Sequence, residues 1–172
     1  MPFPFFVELA DKPCLVVGGG SVAARKAKAL AHFGAKVTVV APETCGRGFV
    51  DADVEGMMLV VAATDDAAVN RHVAEVCRKR GIWVNVVDDP ANCTFLFPAI
   101  FRKGPIVAAV SSGGACPVAA KMVRDKVARL VPDDFADEVA RLGRERENLK
   151  RDYPDPQERK RVCEEALEKW ND

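Results

Sequence analysis

A chain of 172 residues, 49% hydrophobic and 29% charged, has ordinary globular composition, with apolar material for one good core and an appendage. Its 25 basic and 25 acidic residues cancel, so no global field recruits nucleic acid or an anionic membrane, and an acidic ligand must be met by local cations. No apolar run approaches membrane-spanning length, and Met1-Pro-Phe-Pro-Phe-Phe6 lacks the basic start of a signal peptide.

Phe3 to Leu9 is mostly apolar, but Pro2 and Pro4 limit its pairing, which predicts a short edge strand or a hydrophobic cap. Leu15 to Val17 reads as a strand buried on both faces. It enters a glycine cluster from which a helix, Val22 to Phe33, emerges. Gly18, Gly20 and Ala23 fit the G-x-G-x-x-G/A spacing of a dinucleotide loop. The first glycine permits the tight turn, the second lets the backbone approach a pyrophosphate, and the small third residue lets helix and strand pack closely. The first helical N–H groups, near Ser21 and Val22, would then point at phosphate oxygens. Lys36 to Ala41 is the second strand of this βαβ unit. An acid normally closes that strand to hold the ribose; here Pro42 intervenes and Glu43 comes slightly late. Either Glu43 reaches back, or Pro42 and Glu43 meet the ribose through backbone. No arginine follows directly to favour a 2′-phosphate, which leans towards NAD.

Thr44 to Met58 shows no convincing helix, and Asp51 to Glu55 reads as a turn or a single helical turn. Leu59 to Ala63 is another buried strand, followed by Thr64-Asp-Asp66. Ala67 to Arg80 has helical spacing, with Val69, Val73, Val76 and Cys77 on one face, Asp66 as cap and Gly81 as stop. Ile82 to Val87 is a strand, and Phe95 to Ile100 and Ile106 to Val110 read as two more. The alternation predicts an α/β, Rossmann-like, doubly wound and mainly parallel sheet over residues 1–110. A helical region, 111–172, follows: a helix over Val118–Leu130, one over Phe135–Asp152, and one over Gln157–Trp170 after Pro154 and Pro156. Narrow apolar stripes (Val139, Leu142, Leu149; Val162, Leu167, Trp170) suggest packing on a dimer partner.

In such folds ligands lie beyond the carboxyl ends of the strands. Asn85-Val-Val-Asp-Asp-Pro90 places two carboxylates at one such end, either as a proton acceptor near a nicotinamide or as turn residues before Pro90. Thr64, Asp65 and Asp66 carry the same ambiguity, with capping the expected role of at least one aspartate. Ser111-Ser-Gly-Gly114 before a helix either cradles an anion or is a plain linker. Arg102, Lys103, Lys121 and Arg124 are nearby in sequence, as local cations or as solvated surface charge. Six scattered cysteines without a C-x-x-C pair read as reduced thiols in the cytoplasm, and with only His32 and His72 to help they argue against a zinc site.

Five stretches jointly resemble the siroheme-synthase family, in its precorrin-2 dehydrogenase/sirohydrochlorin ferrochelatase domain. They are CLVVGGGSVAARKAKAL (14–30), GAKVTVVAPE (34–43), LVVAATDDAAVN (59–70), VNVVDDPANCTFLFPAI (84–100) and VSSGGACPVAAKMVRDKV (110–127). The resemblance implies NAD-dependent oxidation of precorrin-2 to sirohydrochlorin by a homodimer, and in some members insertion of Fe2+ to give sirohaem. It assigns Ser21 and Val22 to the NAD pyrophosphate, with Gly18, Gly20 and Thr64 around the cofactor and Pro42 and Glu43 on the ribose side. Asp88 becomes general base and metal-insertion residue, and Asn85, Ser111, Ser112 and Gly113 fall near the tetrapyrrole. The interval from Glu43 to Leu59 is short for the family, which implies a missing strand and a more open adenine side. Two other readings compete. One is a nucleotide-sensing module resembling potassium-uptake regulatory domains, which share A-T-D-D-x-x-x-N but keep an acid on the second strand and lack N-V-V-D. The other is a non-catalytic tetrapyrrole-binding dimer.

Overall fold

A computed structural model describes residues 2–170 and divides the chain into two units, Met1–Phe97 and Pro98–Asp172. The first is built on β1 (Pro13–Val17), α1 (Ser21–His32), β2 (Lys36–Val40), α2 (Pro42–Cys45), β3 (Leu59–Ala62), α3 (Ala67–Lys79) and β4 (Trp83–Val86). The four strands form one parallel sheet in the order β2-β1-β3-β4. The chain leaves β1 for β2 on one side and later returns to pair β3 on the other. The carboxyl end of β1 is therefore a topological switch point, where a crevice opens.

Both sheet faces are covered, which explains why the central strands read as unbroken apolar runs. Leu15, Val17, Val60, Ala62, Val84 and Val86 face Val73, Val76 and Cys77 of α3. Cys14, Val16, Leu59 and Val61 face Ala23 and Leu30 of α1. Full burial of each Val or Leu contributes roughly 1.5–3 kcal/mol. The 2–12 segment forms no strand: Phe5 packs edge-on against Trp83 at 5.5 Å and Leu9 against the α1-side cluster, while Phe3 and Phe6 are exposed. The short interval after β2 holds α2, a loop, and one 3-10 turn at Asp51–Val54.

The second unit departs from expectation in three ways. The pair expected at 95–100 and 106–110 does not extend the parallel sheet. It forms a separate antiparallel hairpin, β5 (Ala99–Lys103) and β6 (Ile106–Val110). The cause is the two-residue Gly104-Pro105 loop, with Gly104 at φ 54°, a glycine-first turn that returns the chain at once. The two compact units divide at 97/98, because this hairpin packs under α4 (Pro117–Arg129), with Arg124 Nη1 donating to the Ile100 carbonyl at 3.1 Å. The helix expected over 135–152 is two, α5 (Asp133–Arg144) and α6 (Arg146–Asp152), interrupted at Glu145 just after the weak helix former Gly143. α7 (Pro156–Leu167) packs on α5, and Phe135 meets Trp170 edge-on at 5.4 Å. The tail's apolar stripes are thus half-buried. The more exposed apolar side chains are on α4, at Val118, Met122 and Val123, and just past its end, at Leu130.

Candidate functional site

A cavity of about 580 Å³ opens at the carboxyl ends of β1, β2 and β3. The glycine turn, Gly18 to Gly20, forms its floor. Gly18 has φ 130°, and a side chain there would run into the Ala63 carbonyl at the end of β3, so the turn admits only glycine. Gly20 is extended (φ −75°) with no atom within 4 Å of where a Cβ would lie, which leaves its face open to a ligand. α1 starts at Ser21 with no side-chain cap and no acid in its first turn. Its leading amides thus have no acceptor within the helix, the arrangement that binds a phosphate. Ala23 is buried against the sheet, as its place in the spacing requires.

Pro42 and Glu43 line the next wall. Glu43 reaches back over the turn, for a methyl group at Gly19 would meet its Oε2 at 2.5 Å. Gly48, Phe49 and His72 close the far side, so the short interval after β2 still supplies a wall. His72 Nε2 lies 2.7 Å from Asp51 Oδ1 and edge-on to Phe49. Arg47, the nearest arginine in sequence, is held by Asp53 through contacts of 2.8 and 2.6 Å. That pairing keeps the Asp53 carboxyl below its ordinary range, against a smaller effect of burial.

Thr64 lines the pocket where β3 ends, and it is fixed by a residue that sequence reasoning left without a role. Asn70, buried on α3, accepts from the Thr64 amide (3.1 Å) and hydroxyl (2.8 Å) and donates to its carbonyl (2.9 Å). Its position in A-T-D-D-x-x-x-N was the available signal. Asp66 caps α3, accepting from the Ala68 and Val69 amides.

Asp88 follows β4 in a turn, exposed and at φ 58°, a left-handed conformation that aspartate tolerates better than most residues. The turn is tied down from behind. Thr94 exchanges hydrogen bonds with Val84, and Cys93 Sγ accepts from the Val86 amide. Asp89 accepts from Asn92 at 2.6 Å, which commits it to the turn. Asn85 is buried and donates to the Phe95 carbonyl at 3.0 Å, so its amide serves the frame under Asp88. Lys26 of α1 stands near enough for the Asp88 charge to act on it. Burial pushes its ammonium below the ordinary lysine range and Arg25 adds to this, while Cys93 and Asp88 oppose it. In the second unit the Ser111 and Ser112 hydroxyls accept from the Gly113 and Cys116 amides, shaping the turn before α4. Among the described residues no group of three or more His, Cys, Asp or Glu side chains could hold a metal ion. No described helix is long and apolar enough to cross a membrane.

A family model described as "Putative NAD(P)-binding" matches residues 5–99, more than half of the chain and all four strands of the parallel sheet. The chain belongs to this NAD(P)-binding family. Membership agrees with the glycine turn, the open α1 N-terminus and the crevice beside them. The chain is also 42% identical to the siroheme synthase of Thioalkalivibrio sulfidiphilus and 44% identical to that of Methylococcus capsulatus, over 96% of its own length in both cases. It spans only 37% and 38% of those proteins, under two fifths of their length. A solved structure titled "SirC, precorrin-2 dehydrogenase" is similar with a TM-score of 0.76 at 25% identity, covering 96% of this chain and 89% of that one.

Proposed function

We propose that this chain catalyses the NAD-dependent oxidation of precorrin-2 to sirohydrochlorin, as a cytoplasmic homodimer. The observation that carries the reading is the similarity, over nearly the whole chain, to a protein titled precorrin-2 dehydrogenase, joined to a dinucleotide crevice at the ends of β1, β2 and β3 and a carboxylate, Asp88, in the turn after the next strand, β4. NAD supplies the hydride acceptor. Gly18, Gly20, Ser21 and Val22 bind its pyrophosphate by backbone approach and amides, Pro42 and Glu43 take the adenine ribose, and Thr64 borders the crevice. Glu43 in the ribose wall would repel a 2′-phosphate, and Arg47 is committed to Asp53, so NAD is preferred over NADP.

Oxidation of precorrin-2 releases a hydride and a proton, and the proton needs a base within hydrogen-bond reach. Asp88 takes it, with Asn85 holding the turn; Ser111, Ser112 and Gly113 of the second unit are assigned to the tetrapyrrole by the family resemblance alone. Asp88→Asn is the cleaner test, because asparagine accepts the left-handed backbone where alanine would add strain. Turnover, followed as sirohydrochlorin absorbance and NADH, should fall about a hundredfold or more with NAD affinity retained. A variant with near wild-type turnover would remove Asp88 as the base. Ferrous iron enters as the substrate of a second step at the same carboxylate, tested by supplying Fe2+ without oxygen and following loss of sirohydrochlorin.

A further inference from the structure

Helix α1 carries a half-buried cation, Lys26, without an assigned task. Lys26 lies one turn beyond the glycine loop, beside the stripe that Ala23 and Leu30 bury against the sheet. Its ammonium sits 3.7 Å from the centroid of the Phe97 ring, and Phe97 packs against Phe95 with centroids 5.4 Å apart. It is half-buried, yet among the described residues it makes no hydrogen bond and no ion pair. Other cations of this unit are engaged: Arg47 with Asp53, Arg78 with Asn92, Arg80 with Glu55.

A partly desolvated ammonium has three donors, and an aromatic face satisfies only one side of it. Its other side stays open, so an anion can pair with it. Its surroundings narrow the kind of anion. Phe97, over whose ring the ammonium sits, packs against Phe95, whose carbonyl accepts from Asn85 in the frame under Asp88. Val87, Phe95 and Phe97 nearby are apolar and half-buried against the α1-side cluster, and two of them are flat. A conjugated macrocycle with carboxylates on its rim matches both features. A small dicarboxylate would leave the aromatic wall uncovered.

We infer that Lys26 is a specificity-determining contact for the substrate: its ammonium receives a peripheral carboxylate of a tetrapyrrole polyacid whose ring lies against the Phe95–Phe97 wall beside Asp88. This rests on the dehydrogenase reading and adds to it the group that selects a polyacid. An incoming carboxylate also offsets the cost of burying the ammonium, which favours the bound state.

The test uses the full-length protein and two titrations, sirohydrochlorin by absorbance and NAD by calorimetry, followed by precorrin-2 kinetics. Lys26→Met keeps the stem over Phe97 and removes the charge; Lys26→Arg restores a cation; Lys28→Met, on the exposed side of the same helix, is the control. Lys26→Met should weaken sirohydrochlorin binding and raise KM for precorrin-2 about tenfold or more, with NAD affinity and kcat within about twofold. The wild-type affinity should fall with salt more steeply than that of the variant, and Lys26→Arg should recover most of the loss. Equal sirohydrochlorin affinity in Lys26→Met and wild type overturns the inference and leaves the dehydrogenase reading intact. Parallel loss of NAD and sirohydrochlorin binding also overturns it, by moving Lys26 to the cofactor or the fold. If the wild-type protein fails to bind sirohydrochlorin and to oxidise precorrin-2, the functional reading itself falls and the inference with it.

Discussion

Gly18 and Gly20 occupy one turn and do different things. Gly18 combines φ 130° with a neighbouring carbonyl that leaves no room for a side chain, so its demand is on folding. Gly20 is in an extended conformation any residue adopts and faces open space, so its demand is on the ligand. Gly18→Ala should therefore destabilise the protein, on the order of 2 kcal/mol or more, seen as a lower urea midpoint. Gly20→Val should leave that midpoint near wild type and weaken NAD at least tenfold, about 1.4 kcal/mol, by calorimetry. Unchanged NAD affinity in Gly20→Val would take the turn out of the cofactor site. The motif was legible because backbone sterics at a turn are local and leave their mark in consecutive residues. Asn70 and Lys26 were not, because their partners are supplied by the fold: a strand-end backbone for one, the Phe97 ring for the other.

Elements with continuous local signals were read closely. β1, β3 and β4 are apolar runs because both sheet faces are covered, and α3 was bracketed by its Asp66 cap and Gly81 stop. The strand expected at Phe95 fails for a reason that composition hides. Phe95 and Phe97 are apolar because they pack on the α1 face of the sheet, while pairing begins only at Ala99. The interruption at Glu145 is a one-residue event inside a good helical pattern, below what periodicity resolves. Capping is where an element-scale prediction can be made sharp. Asp66 Oδ1 accepts from Ala68 N at 2.7 Å and Val69 N at 3.3 Å, and the helix it starts carries Asn70, the clamp on Thr64. Asp66→Ala should cost about 1 kcal/mol of stability in urea denaturation, and Asp66→Asn much less. Equal midpoints for Asp66→Ala and wild type would show that the cap contributes nothing.

At the scale of the whole molecule, the sequence reading puts association on the tail helices, whereas the more exposed apolar side chains of the second unit lie on and just after α4. α5 packs with α7, and Phe135 meets Trp170, whereas Val118 and Met122 on α4 and Leu130 just past its end are 65%, 59% and 78% exposed. Val118 and Met122 lie about one turn apart on one face of α4, and Val123 and Leu130 flank them. Large apolar side chains grouped in this way on an otherwise charged surface mark an interaction site more often than chance exposure. A second copy of the chain is the occupant consistent with the proposed homodimer, and a formal net charge of zero leaves no long-range repulsion against it. The wild-type protein should therefore sediment as a dimer. The double variant Val118→Glu/Met122→Glu would bury two carboxylates in that interface without partners, at several kcal/mol. It should sediment as monomer at micromolar concentration while the first unit, which holds the dinucleotide crevice, still binds NAD with near wild-type affinity. A double variant that remains dimeric would move the interface away from α4. A wild-type protein that is monomeric across the same concentrations would remove the dimer altogether.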